Sequence, residues 1–435
     1  MGLITGGLTF RRYRVYQPLA SDFRDTFLEG VTRHAHQENL KSRTKDPNIG
    51  WVNIFDAGDT YFDLNKILYD RYLVLGLRVD KKAVNGKLFN ILLERQYQQV
   101  MEERKVERLA KNHKEEIKEA LEEELLSQTL PSVNVFDLAW DIHSGQVFFF
   151  GTSDLVNEFV QGFFHDSFNH RLYPERTVDW LVSAGLSWEE IETRAQGYLP
   201  GGSASGGMAK EKNPDGWHEN DPILGRELLL GTEFLTWLWQ QSEQKDGRFQ
   251  VGEAQATPAP STPVERDSED FDYDYEEEAE VERRKRLGLE GGSTLRRALD
   301  SGVEDITLWL DNKLIFKNLD EGQPGVTMLV GEAPSATPEA KLTLVQGKRP
   351  VEVRLGLQRG EQDWFFTLKA LPGGLELAGL KIPFEVKEGE EEKIYERMYL
   401  LEVVTTALKG LFRQYFEART SEGWGEKLEG WLKEE

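Results

Sequence analysis

Cysteine is absent from the 435 residues. Its absence excludes disulfides, thiolate zinc sites, iron–sulfur clusters and a cysteine nucleophile. No apolar run approaches the ~18 residues of a membrane span. The opening MGLITGGLTFRRYRV lacks a basic segment followed by an apolar one, so no secretory leader is expected. Gly6 stands where a myristoylation signal wants Ser or Thr. These gaps lead to the expectation of a soluble, cytoplasmic chain without a membrane partner. Signatures of chemistry are missing as well. GLEGGSTLRRA (288–298) lacks the lysine of a phosphate-cradling loop, and no G-x-S-x-G elbow occurs. The close histidine pairs are His34-x-His36 and His165-x4-His170, and neither has the H-E-x-x-H arrangement. No cofactor, metal or enzymatic activity is expected.

The chain does carry a core. Its 11 Trp and 23 Phe, within a 39% hydrophobic share, are more than a disordered chain holds. Its length suggests more than one domain. The net charge of −23 argues against nonspecific contact with phosphates, but it is unevenly spread. Residues 251–280 hold eleven acids and one base, Arg266. Residues 1–50 hold eight bases and five acids. The distribution therefore matters more than the sum.

LTFRRYRVY (8–16) reads as a strand, followed by a helix capped by Ser21 or Asp22. A turn-rich section contains GWVNIFDAGDTYFD (50–63), and LYDRYLVLGLRVD (68–80) is a strand. KLFNILLERQYQQVMEER is helical. Val106, Leu109, His113, Ile117, Ala120, Leu121 and Leu125 then form one stripe of a second helix that Pro131 stops. SVNVFDLAWDIHSGQVFFFGTS (132–153) reads as a hairpin turning at His143-Ser144-Gly145, and 153–169 as an amphipathic helix. Residues 177–200 are partly helical, 201–216 a connector, and 225–244 a very apolar helix in which Trp237 and Trp239 belong to a core or a subunit interface, or stack on bases if exposed. Short strands follow a 250–280 linker, KLTLVQG among them, and a helix of about 30 residues closes the pattern. The class is α+β with antiparallel sheets and long amphipathic helices. The expected domains are 1–175, a helical segment 176–249, an acidic linker 250–282, and a sheet-plus-helix domain 283–435.

Three basic groups are candidate phosphate contacts. Arg11, Arg12 and Arg14 sit in the first strand, with Arg12 and Arg14 on one face by the period of two. Lys81, Lys82 and Lys87 cluster where strand meets helix. Arg283, Arg284, Lys285 and Arg286 follow the ribbon DSEDFDYDYEEEAEVERRKR, with Arg296 and Arg297 beyond. The ordinary reading of each is a solvated charged face. The ribbon is either a tether or a strap that competes with phosphate for a basic surface. A different chemistry would place Asp363 beside Glu385 and Lys387 at a sheet edge, where two carboxylates and a lysine hold Mg²⁺ for a nuclease.

The order of motifs over 1–175 resembles the RdgC family of bacterial recombination-associated proteins. The carriers are LTFRRYRV, Gly50-Trp51-Val52, charged paired helices ending in EEELLSQTLP, and a hairpin with Trp140, Asp141 and Gly145. The closing helix also fits, and 177–300 looks like an insertion relative to shorter members. The resemblance implies a non-enzymatic homodimer, ring- or horseshoe-shaped. It would encircle or coat DNA, duplex and also single-stranded, with little sequence preference. It would antagonise RecA-dependent recombination and associate with the nucleoid. This chain departs in its acidity and in Ser132 after Leu-Pro, where a base is expected. The competing reading is a protein-interaction subunit on the same scaffold without DNA binding.

Overall fold

The computed structural model describes residues 2–4, 6–183, 185–195, 224–244, 249–250, 306–319, 325–359, 362–371, 374–381 and 389–433. The fold is α+β, and the strands of its sheets pair antiparallel. It divides into two compact units, Met1–Ile4 with Tyr13–Tyr173 and Thr5–Arg12 with Pro174–Glu435. The strand Leu8–Arg14 is split between them at Arg12. Among the described residues no helix is long and apolar enough to cross a membrane.

The first unit is built on the strand Tyr72–Lys81, whose side chains are buried on both faces as far as Asp80, apart from a half-buried Arg78. It pairs with Asn48–Val52 on one side and Ser132–Asp141 on the other, and the latter pairs with Gln146–Phe149. The predicted hairpin turn forms. Gly145 takes φ +71, which favours glycine, and the Asp141 carboxylate accepts the His143 and Ser144 backbone N–H groups. Helices Phe23–Arg33 and Asp154–Phe168 pack together and give the core its aromatic character. Trp140 touches Phe27, Phe164 and Phe168 at ring separations of 5.0, 5.1 and 5.8 Å. Gly50-Trp51-Val52 lies in a strand rather than in the expected turn. Trp51 is fully buried and donates its indole N–H to Ser167 Oγ at 2.8 Å. Burying so large a ring outweighs the turn-forming residues around it.

The charged helices differ from expectation in one respect. They run Gly86–Arg104 and Lys111–Gln128, and the stripe beginning at Val106 does not belong to one helix. Lys105 adopts a left-handed φ of 53 and the chain reverses over 105–110. Val106 is 41% exposed, while Leu121 and Leu126 are buried. Asn85 caps the first helix by accepting the Lys87 and Leu88 N–H groups.

The second unit carries a sheet in the order Val326–Val330, Ile306–Lys317, Arg349–Arg359, Gln362–Leu371, Gly374–Lys381 and the Leu8 end of the first strand. The helix Leu224–Gln244, assigned from sequence to a separate segment, packs against this sheet and the closing helix Glu390–Arg419. Trp237 and Trp239 are buried, as their apolar context implied. Phe234 meets Phe412 and Tyr415 at 5.2 and 5.6 Å. A last helix, Trp424–Lys433, returns Trp431 to the same region, where Glu243 accepts both the Trp239 and Trp431 indole N–H groups. KLTLVQG is not a strand. Pro338 opens a helix, Pro338–Val345, at the position where a missing N–H costs nothing.

Two buried ionic clusters tie the second unit together. The Arg12 guanidinium lies over Trp180 at 4.4 Å, donates to Leu375 O at 2.8 Å and faces Glu175 at 3.5 Å, while Lys409 reaches the other Glu175 oxygen at 3.2 Å. Glu233 accepts from Tyr415 OH at 2.9 Å and from Arg419 Nε at 2.6 Å. Burial pushes the Glu233 carboxyl upward and Arg419 pulls it back.

Two predictions follow from these buried groups. Glu175→Ala leaves the buried Arg12 guanidinium without its carboxylate and should lower stability by roughly 3–5 kcal/mol, read from urea unfolding, while Lys433→Ala at an exposed pair changes little. Asp137 accepts the Leu3 N–H at 2.6 Å, and burial raises its carboxyl to about 6. A raised carboxyl is stabilising below its unfolded value and loses that contribution as pH rises. Between pH 4 and 6 the wild-type protein should therefore lose roughly 3 kcal/mol relative to Asp137→Asn, with no further divergence above about pH 7. Parallel unfolding curves for the two proteins across that window would exclude this linkage.

Candidate nucleic-acid interface

The sequence-predicted bases separate according to what the fold does with them. Lys81 is the last residue of its strand and Lys82 follows it, and the two have opposite fates. Lys81 is exposed at the strand end opposite Ser132. Lys82 is 4% exposed, and its ammonium donates to three carbonyl oxygens, Leu40 at 2.5 Å, Ser42 at 3.0 Å and Leu126 at 2.8 Å. All three of its donors are used, so Lys82 is a structural pin and presents nothing to a phosphate. It ties the 40–45 loop to the C-terminal turn of the Lys111–Gln128 helix, where unsatisfied carbonyls attract a cation. Lys41 and Arg43 on that loop are exposed, and Lys45 pairs with Glu122.

Lys87 is exposed at the start of its helix. Arg11 faces Glu376 at 3.6 Å, and Arg14 is half-buried in the strand. Arg12 is 7% exposed in the ionic cluster described above, so it is not the phosphate contact expected from the alternation with Arg14. Arg283, Arg284, Lys285 and Arg286 lie outside the described residues, as do Arg296, Arg297, the acidic ribbon and the 201–216 connector.

Among the described residues, one concentration of exposed positive charge is one the strand-and-helix reading passed over. Between residues 104 and 114 stand Arg104, Lys105, Arg108, Lys111 and Lys114, against the single acid Glu107. All five bases are exposed. Arg104 and Lys105 end the first helix, Arg108 lies in the reversal, and Lys111 and Lys114 begin the second helix. The two helices pack on each other, and Tyr97 OH donates to Lys114 O at 3.1 Å. The Lys114 ammonium lies over the Tyr97 ring at 5.4 Å. Lys111 reaches Glu115 only at 4.0 Å, and Arg104, Lys105 and Arg108 have no ion-pair partner among the described residues. Local charge counting would have found this cluster. Treating 106–125 as one helix instead spread the same bases around a cylinder.

A further cluster sits beneath the 34–48 segment. Arg78 grips Asp80 with two bonds of 2.8 Å, and His36 Nε2 lies 3.3 Å from the same carboxylate. Burial holds the His36 imidazole below its ordinary range, against the pull of Asp80. His34 instead directs Nδ1 to Gly30 O at 3.0 Å, so the two histidines share no ligand set. Among the described residues no group of three His, Asp or Glu side chains is placed to hold a metal ion. Asp363 is exposed opposite Gln358, and Glu385 and Lys387 lie outside the described residues.

The pinning role of Lys82 is testable against its neighbour. Lys82→Met should cost roughly 3 kcal/mol and speed amide exchange through 40–45, because one buried and two part-buried carbonyls lose a charged donor. Lys81→Met should stay within about 0.5 kcal/mol of wild type. Equal effects from the two substitutions would show that Lys82 is not the pin. No protein-family model matches the chain, and no curated protein matches it.

Proposed function

We propose that this protein binds DNA through its phosphate backbone, without catalysis and with little sequence preference, in the manner of the RdgC-type proteins it resembles. The observation that carries the reading is the helical hairpin with its five exposed bases around one reversal. A phosphate contact needs a desolvatable cation that is not already neutralised, and Arg104, Lys105 and Arg108 meet that condition. Exposed Lys81 and Lys87, and Lys41 and Arg43 on the pinned loop, add positive charge within the same unit. Coating or encircling of DNA by a homodimer, restraint of RecA-dependent recombination and nucleoid association belong to the same proposal and rest on the resemblance.

A second reading keeps the scaffold and replaces DNA by a basic protein partner. It is favoured by the net charge of −23 and by the consumption of Arg12 and Lys82 inside the fold. A salt series distinguishes the two. Duplex binding followed by fluorescence anisotropy should weaken linearly in log affinity against log salt. The variant Arg104→Glu/Arg108→Glu/Lys111→Glu should bind at least tenfold more weakly and lower the slope by roughly three. Deleting 251–280 should tighten binding if the acidic ribbon competes with phosphate. No binding by the intact protein at low salt would sink the DNA reading and favour the second.

A further inference from the structure

The Gly86–Arg104 helix packs one side on the Lys111–Gln128 helix, and Phe89 is its buried residue. A different stripe of it meets water. Leu88, Ile91, Arg95, Gln98 and Glu102 follow one another at spacings of three, four, three and four. That spacing keeps side chains on one seam of a helix, where a second helix can lie. All five are exposed, Leu88 by 50% and Ile91 by 53%. Scattered exposed apolar residues are ordinary on a surface. Here two share a seam, and Val106, 41% exposed, stands just past the helix end with its N–H bonded to Met101 O at 3.0 Å.

The charges on the seam are unspent. Arg95 and Glu102 are two turns apart, roughly 10 Å along the axis, too far to pair within one helix. Neither forms an ion pair among the described residues. Between them, Gln98 and Gln99 donate along their own helix to Glu94 and Glu103, at 3.2 and 2.9 Å. A shallow groove follows the seam past Ile91, Arg95, Gln98 and Glu102.

We propose that this seam is a self-association face, and that its occupant is the same helix of a second copy, running antiparallel. Such a pairing is isologous, so every contact occurs twice. With the two-fold axis between Gln98 and Gln99, Arg95 stands level with the partner's Glu102, and Ile91 level with the partner's Val106. Charges that cannot meet within one helix then meet across two, and the exposed apolar groups at each end cover one another. A parallel pairing would set Arg95 against Arg95 and Glu102 against Glu102, so charge selects the antiparallel one. A nucleic acid or a strongly charged protein gains little from a seam with one base and one acid. A single helix face falls below the ~1,200 Å² of a standard interface, so the pairing is reversible and depends on concentration. The inference deepens the homodimer part of the reading above by naming a face for it, and it does not depend on DNA.

Two measurements on the full-length protein test it, and all the substituted side chains are exposed, so the fold is not at stake. The natural chain has no cysteine, so one introduced thiol reports only on its own position. With diamide as oxidant, Gln98→Cys should give a disulfide-linked dimer, and Glu119→Cys on the neighbouring helix should not. Sedimentation equilibrium should show Arg95→Glu weakening wild-type association about tenfold or more, because two like-charge contacts replace two ion pairs. The exchange Arg95→Glu/Glu102→Arg should restore it, which two residues so far apart in one helix cannot do for each other. Failure of the exchange to restore association overturns the pairing. A dimer that is indifferent to Arg95→Glu and crosslinks equally at both thiols overturns the face and leaves the homodimer reading standing. A monomer at every concentration overturns both.

Discussion

Arg12 gives up water when its strand enters the second unit, and a guanidinium cannot be deprotonated to escape the cost. Its five donors must be met by protein, and the protein supplies Glu175, the Leu375 carbonyl and the face of Trp180. Those partners come from two parts of the chain that are far in sequence from Arg12 and from each other. The contact therefore exists only when the strand, the 174–180 segment and the Gly374–Lys381 strand are in register together. Lys409 closes the cluster from the closing helix. Buried ion pairs are seldom net stabilisers against apolar alternatives, but an incomplete one is costly, so the cluster specifies one arrangement of these elements.

The same logic acts in the first unit through Lys82, with carbonyls in place of a carboxylate. Both residues looked like surface cations in the sequence, and both are spent on holding the fold. The cations left for a partner are the ones whose surroundings cannot neutralise them. At the hairpin reversal the helices turn back, the chain offers one acid among five bases, and the side chains point to water. Charge available to a partner is therefore what the structure leaves over after its own backbone and carboxylates have been satisfied.

Much of the architecture was legible. The apolar, strand-forming run in Tyr72–Lys81, the hairpin at Gly145 and the periodicity of Glu390–Arg419 each carry a strong local signal, and each formed as expected. Legibility failed where local and tertiary preferences conflict. GWV sits among turn residues, but the demand to bury Trp51 under Phe163 and Phe168 draws it into the sheet. KLTLV alternates like a strand, but Pro338 fixes a helical start and the segment follows it. The Val106 stripe fitted one helix on spacing alone. Spacing does not register a reversal through a left-handed residue such as Lys105.

The sequence by itself determined the class of fold, the absence of thiol chemistry and the uneven distribution of charge, because composition and periodicity are properties of neighbours along the chain. It also marked out Lys81 and Lys87 among the exposed bases, and passed over the five between 104 and 114. Only the tertiary structure decided which of them remain available. Whether a cation is spent depends on carbonyls and carboxylates that are distant in sequence: Leu126 for Lys82, Glu175 and Leu375 for Arg12.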